Sequence, residues 1–126
     1  MEPKSYFLGC NYIIDMVSGK WKPSIICSLG RKEKRFGELR RYLRTLYGIA
    51  PAEKVLSEQL RQLIADQMVQ RTDFGTVPPK VVYSLTERGM RLKKLLIEMT
   101  EFAESIQDET VDFKYRADDM KGITRR

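Results

Sequence analysis

The apolar positions of the 126-residue chain fall at helical spacing along most of its length. Tyr12, Ile13, Met16 and Val17 predict a first helix over residues 10–17, broken by Ser18-Gly19. Trp21, Ile25, Ile26 and Leu29 predict a second, with Ser18 as its cap, Pro23 in its first turn and Gly30 as its stop. Arg31-Lys32-Glu33-Lys34 reads as a charged turn. Phe36, Leu39 and Leu43 predict a third helix over 36–43 that turns Arg40, Arg41 and Arg44 outward, with Thr45–Gly48 as a connection. A fourth helix is expected from Pro51, as its first residue, to about Asp66, with Leu56, Leu60 and Leu63 on one stripe. At 100° per residue, Lys54, Ser57, Glu58 and Arg61 share the face opposite that stripe.

The periodicity then changes. Met68–Thr72 and Lys80–Leu85 are β-rich and flank the Gly/Pro-containing segment Asp73–Pro79, the pattern of a hairpin. Thr86-Glu87 follows as a cap, and Leu92, Leu95, Leu96, Met99, Phe102, Ala103 and Ile106 stripe a long helix reaching about Gln107. Residues 108–126 are polar with scattered Val111, Phe113, Tyr115, Met120 and Ile123, consistent with a short docked helix or a frayed tail. The fold expected is mainly α with a small β-hairpin wing, a winged helix-turn-helix, in one domain over 1–126. The stripe of the long helix is too wide to bury against so small a domain, so a second copy of the chain is its natural cover.

Charge sharpens this picture. The net charge is +6, but residues 31–62 carry +5 and residues 63–97 carry +3, whereas residues 98–126 carry −3. The middle of the chain is thus a basic field suited to a polyanion, and the acidic end leaves only one side for such a partner. A helix that enters a major groove needs polar side chains at base edges, and a hairpin tip can lie on the neighbouring backbone. Other chemistry is poorly supplied. There is no histidine, hence no ordinary general base, and no Gly-rich phosphate loop, so an enzyme and a cofactor are not expected. No apolar run is long enough for a membrane span, and with two cysteines the expected setting is a reducing cytoplasm.

Several ordered motifs resemble one known family. They are Cys10, Gly19-Lys20-Trp21, Arg35-Phe36-Gly37-Glu38-Leu39, Lys54-Val55-Leu56-Ser57-Glu58-Gln59-Leu60-Arg61, Val69-Gln70-Arg71, Val77-Pro78-Pro79-Lys80 continuing through Tyr83-Ser84-Leu85-Thr86, and Gly89. In this order, over roughly residues 8–105, they resemble the HxlR-type helix-turn-helix transcriptional regulators, relatives of the MarR group. The resemblance implies a homodimer, built from N- and C-terminal dimerisation helices at about 1–18 and 86–126, that binds double-stranded DNA at a (pseudo)palindromic operator, and a cysteine at the Cys10 position that senses oxidants or electrophiles. Two departures stand out. Ile49–Glu53 holds about two more residues than the family pattern, which is expected to extend or re-aim the start of the recognition helix. Gln67 stands where a glycine is usual, so the turn before the wing is expected to differ, because a positive φ there is strained.

The candidate DNA-binding residues are Arg35, Arg40, Arg41, Lys54, Ser57, Glu58, Arg61, Thr76 and Lys80. The arginines and Lys80 suit phosphates, and Glu58 suits cytosine N4. Each has a plainer alternative: solvated surface for the arginines, and a pair with Lys54 or Arg61 for Glu58. Cys10 is a candidate redox sensor for an oxidant or small-molecule effector, or else a small hydrophobe at a helix start. Cys27 and Trp21 read as core, and the acidic residues from Glu98 to Asp112 as a solvated face rather than a cation site. A winged-helix assembly module without DNA, and a thiol enzyme working through Cys10, are the competing functions.

Overall fold

The structure is a computed structural model that describes residues 2–121. The elements are α1 (Gly9–Met16), α2 (Lys22–Arg31), α3 (Phe36–Tyr47), α4 (Glu53–Ala65), β1 (Val69–Asp73), β2 (Val81–Leu85), α5 (Glu87–Ser105) and α6 (Ala117–Met120). β1 and β2 pair antiparallel, with Val69 opposite Leu85 and Asp73 opposite Val81. The hairpin has a third, minimal partner: the Lys34 N–H donates to the Tyr83 carbonyl (3.0 Å), and the Tyr83 N–H to that of Lys34 (2.8 Å). The expected charged turn thus contributes a one-residue bridge at the root of the wing.

One buried cluster joins the elements. Trp21, Ile25, Ile26 and Leu29 of the α2 region meet Leu39 and Leu43 of α3, Leu56, Leu60 and Leu63 of α4, and Leu92 and Leu96 of α5. The inward stripes of α3 and α4 are those the periodicity predicts. Trp21 takes its core role, with the Tyr47 ring edge-on at 4.6 Å.

Several boundaries differ from the sequence expectation. Gly30 does not stop α2, which runs on to Arg31. A Cβ at Gly30 would lie 2.4 Å from Cδ of Lys93, so the glycine admits the α5 lysine stem against α2. Ser18 does not cap α2; Trp21 holds that position, after a turn in which Gly19 takes φ +143°. α3 continues through Thr45–Tyr47 and ends at Gly48, whose φ of 78° suits glycine and whose N–H donates to the Arg44 carbonyl. Pro51 is not the first residue of α4. It is buried ahead of Ala52, the N-terminal cap, so residues 49–51 belong to the α3–α4 turn rather than to the start of α4. α5 ends at Ser105, and the candidate tail helix is present as α6, while Ile123 lies outside the described residues.

The turn before the wing takes the positive φ in spite of Gln67. Gln67 adopts the left-handed conformation at φ 63°. Met68 N–H donates to the Leu63 carbonyl and Gln67 N–H to the Ile64 carbonyl, both at 2.9 Å. Those two bonds define a Schellman motif, so the helix end imposes the positive φ whatever residue occupies it. Gln67 is exposed, so its side chain brings little packing to offset the strain. Gln67→Gly is therefore expected to raise unfolding free energy by about 1 kcal/mol, read as a higher denaturant midpoint at unchanged slope. An unchanged or lower midpoint contradicts the strain.

Candidate nucleic-acid interface

The α4 face opposite Leu56, Leu60 and Leu63 is solvent-exposed, and Lys54, Ser57, Glu58 and Arg61 all stand on it. Their i, i+3, i+4, i+7 spacing keeps them on one side of the helix. Glu58 is taken up locally: Arg61 Nη1 donates to its Oε2, and Gln62 Nε2 to its Oε1 at 3.4 Å. The plainer reading of Glu58 thus holds in this structure, since its carboxylate also orients Arg61. Among the described residues, Lys54 and Ser57 have no such tie on that face.

The wing presents a second polar surface. All residues from Gln70 to Lys80 are exposed. The hairpin is extended past Asp73 by a Phe74 N–H to Lys80 carbonyl bond (2.9 Å), and Asp73 Oδ1 accepts from the Gly75 N–H (2.9 Å). Thr76 Oγ1 donates to the Pro78 carbonyl at 2.9 Å, so its hydroxyl shapes the tip. Lys80 Nζ lies 4.7 Å from the centroid of the Phe74 ring, held over an aromatic face rather than free. Arg71, exposed on β1, adds a cation that the sequence reading used only as part of a pattern.

The α3 arginines separate into different roles. Arg35 and Arg41 are exposed. The Arg35 N–H donates to Glu38 Oε1 (2.8 Å), a bond that holds the Glu38 carboxyl below its usual range. Arg40 does not simply point outward. It is half-buried, and its Nε donates to the Pro51 carbonyl at 2.8 Å, tying α3 to the turn that launches α4. Its first role is therefore to position the helix. Lys34 is a residue the sequence reading passed over. Its Nζ donates to the Ser28 carbonyl (2.8 Å) and lies 4.7 Å from the Tyr42 ring centroid, locking the wing root to α2 and α3. Burial lowers its pKa, with Arg31 and Lys32 adding to the effect.

The two thiols occupy different surroundings. Cys10 is exposed on α1, near exposed Leu8, Tyr12 and Ile14. Cys27 is half-buried on α2, and burial pushes its pKa up to about 11, against a small opposing effect of Lys93. On α5, Leu92 and Leu96 are buried, but Leu95, Met99, Phe102 and Ile106 remain 48–66% exposed. The expected wide stripe is thus half covered. Among the acidic residues, Glu101 pairs with Lys121 (2.9 Å), while Glu104 accepts from the Ala117 N–H (2.8 Å) and faces Arg116 (3.7 Å). They fasten the C-terminal segment, and no group of His, Cys, Asp and Glu suited to a metal occurs among the described residues. No helix among the described residues is long and apolar enough to cross a membrane.

The profile of the HxlR-like helix-turn-helix family matches residues 16–111. An HTH-type transcriptional regulator of Bacillus subtilis (strain 168), YtcD, is 38% identical over 96 residues, 76% of this chain and 72% of that protein. Among solved structures, the redox regulator HypR in its reduced form superposes with a TM-score of 0.69 at 37% identity, covering 80% of this chain and 95% of that one. The reduced form of the transcriptional regulator YodB from B. subtilis gives a TM-score of 0.72 at 27% identity, covering 86% of this chain and 100% of that one.

Proposed function

Because the chain belongs to the HxlR-like helix-turn-helix family and is a transcriptional regulator rather than an enzyme, we propose that it binds a (pseudo)palindromic DNA operator as a homodimer. The observation that carries this reading is the exposed Lys54/Ser57/Arg61 face of α4, standing before a basic wing. Two α4 helices enter successive major grooves, about one DNA turn (~34 Å) apart. Lys54, Ser57 and Arg61 reach base edges, with Glu58 fixing Arg61. Lys80, Arg71, Arg35 and Arg41 grip phosphates, while Arg40 sets the angle at which α4 leaves the α3–α4 turn. Thr76 keeps the wing tip in shape for the backbone contact. The subunits pair through the uncovered apolar faces of α1 and α5.

These roles separate by measurement. Lys80→Ala is expected to weaken binding to all duplexes alike and to reduce the slope of log affinity against log salt by about 1 per protomer. Ser57→Ala or Lys54→Ala should cost about 1–3 kcal/mol on the operator and little on unrelated DNA. The same loss on both DNAs would remove α4 from sequence reading.

Cys10 is the sensing group in this reading. Its support is the exposure of the thiol beside the α1 apolar face, together with the similarity to HypR, a redox regulator. Diamide joins the Cys10 thiols of the two paired subunits in a disulfide, taking up their two protons and two electrons, and so puts a cross-link at the subunit seam. A small rotation of one subunit then takes its α4 out of register with the second half-site. Gel-shift titration on the DNA upstream of the protein's own gene, with and without diamide, tests this. Diamide should weaken binding at least ~10-fold in the native chain and leave Cys10→Ser unchanged, a difference of about 1.4 kcal/mol. Indifference of the native chain to diamide would remove the Cys10 switch and leave the DNA-binding reading standing.

A further inference from the structure

The family profile ends at residue 111, but the described chain continues to residue 121 and folds back over the body. One end of this segment is fastened to α5. The Ala117 N–H, at the start of α6, donates to Glu104 Oε2 (2.8 Å), and Lys121 Nζ donates to Glu101 Oε2 (2.9 Å). Arg116 adds an ion pair with Glu104 (3.7 Å) and a bond from its Nη1 to Gln107 Oε1 (3.5 Å). Ala117 is buried and Met120 packs on the core, so this end is seated as well as bonded. The other end reaches α3. Tyr115 Oη donates to the Leu46 carbonyl at 2.9 Å, across 69 positions of sequence.

The α3 contact falls where it can act on α4. The last four carbonyls of a helix lack a partner within it. In α3 the Gly48 N–H takes the Arg44 carbonyl and Tyr115 takes that of Leu46, so Tyr115 caps α3 from outside the helix. The Pro51 carbonyl is held by Arg40 of the same helix, and α4 begins at Glu53. The end of α3, the 48–52 turn and the start of α4 thus form one bonded unit, which Tyr115 ties to the C-terminal segment. The shared core holds α4 through Leu56, Leu60 and Leu63. Its N-terminal end, where Lys54 and Ser57 stand, answers to the turn. We propose that residues 112–121 are a brace between α5 and the end of α3, with Tyr115 as a positioning residue for α4. In the proposed dimer α5 carries the pairing face, so the brace fixes the angle between that face and the first turn of α4. Two α4 helices then match one half-site spacing and discriminate against its neighbours. That consequence rests on the DNA-binding reading, whereas the brace itself does not.

Two variants cut the brace at opposite ends. Tyr115→Phe removes one oxygen and keeps the ring, and Glu104→Ala frees the α5 end. The first measurement is amide hydrogen exchange of the full chain without DNA. The Gly48 N–H, and the Leu56 N–H that bonds the Ala52 carbonyl in the first turn of α4, should exchange about fivefold faster in each variant. The Met68 N–H, at the far end of α4, should keep its native rate, which a general loss of stability would not allow. A brace cut at either end is cut, so the double variant should be no faster than the singles, whereas two independent losses add. The second measurement uses the duplex selected by the native chain, with its half-sites moved apart by one base pair. That change shifts the second half-site by about 3.4 Å and turns it by about 34°. It should cost the native chain at least ~10-fold in affinity and either variant about threefold or less. Native exchange at Gly48 and Leu56 in both single variants, or additive effects in the double one, overturns the brace. Faster exchange with an unchanged spacing preference overturns its role in positioning α4. A chain that binds no duplex fails the DNA-binding reading, and the exchange rates then decide the brace on their own.

Discussion

The Phe102→Asp protein is expected to sediment as a folded monomer and to bind a two-half-site operator at least ~100-fold more weakly than the native chain. The reasoning starts from the long helix. Phe102 and Ile106 are 66% and 65% exposed, although they continue the stripe whose other members, Leu92 and Leu96, are buried. In the proposed dimer a second α5 covers this face, and an aspartate introduced there would be desolvated without a partner, at a cost of several kcal/mol. The subunit's own core does not use Phe102, so its helical circular dichroism is expected to persist. The affinity falls because one subunit engages one half-site, and the gain from tethering the second is lost. A dimeric Phe102→Asp protein with native affinity places the subunit contact elsewhere.

Gly89→Ala is expected to destabilise the chain by about 3 kcal/mol or more, a loss of roughly 10 °C in Tm for a domain of this length. Gly89 lies in the first turn of α5, where Thr86 Oγ1 accepts from its N–H at 3.0 Å. A Cβ there would sit 2.0 Å from the Met68 carbonyl oxygen. That oxygen belongs to backbone already fixed by the Schellman turn, and it accepts from the Thr86 N–H at 3.1 Å. Relief therefore requires α5 to leave the root of the wing, with loss of the bonds from Thr86 to Met68 and Gln67. Gly9→Ala is the contrasting case, because nothing lies within 4 Å of a Cβ at that position; its effect should stay within about 0.5 kcal/mol. Equal melting curves for the two variants would contradict the close approach at Gly89.

The elements that were readable in advance are those where one local signal decides. The Leu56/Leu60/Leu63 stripe leaves only one orientation for α4, and the β-rich runs around Pro78-Pro79 leave only a hairpin. Thr86 caps α5 because Glu87 begins a long periodic run and the hydroxyl has an N–H to accept. The misread positions answer to distant partners. Gly30 looks like a stop, yet its missing Cβ serves the Lys93 stem arriving from α5. Gln67 takes a positive φ because two hydrogen bonds of the α4 terminus require it, against the preference of its own side chain. Arg40 is one of a run of arginines by sequence, and only the path of the 48–52 turn gives it the Pro51 carbonyl. Lys34, inside a charged tetrapeptide, is the wing's third partner because Tyr83 passes beside it. The outward face of α4 was readable for the same reason as its inward stripe, whereas the pairing of Glu58 with Arg61 was one choice among several.

A sequence-specific duplex titrated with the full chain, by fluorescence anisotropy at several salt concentrations and by native mass measurement of the complex, bears most directly on DNA binding as a dimer. The expected result is two protomers per operator, with affinity falling steeply and log-linearly as salt rises, and weaker salt-steep binding to unrelated duplex. Absence of any salt-sensitive binding to duplex DNA, specific or not, would contradict it and leave the chain a winged-helix module for protein assembly.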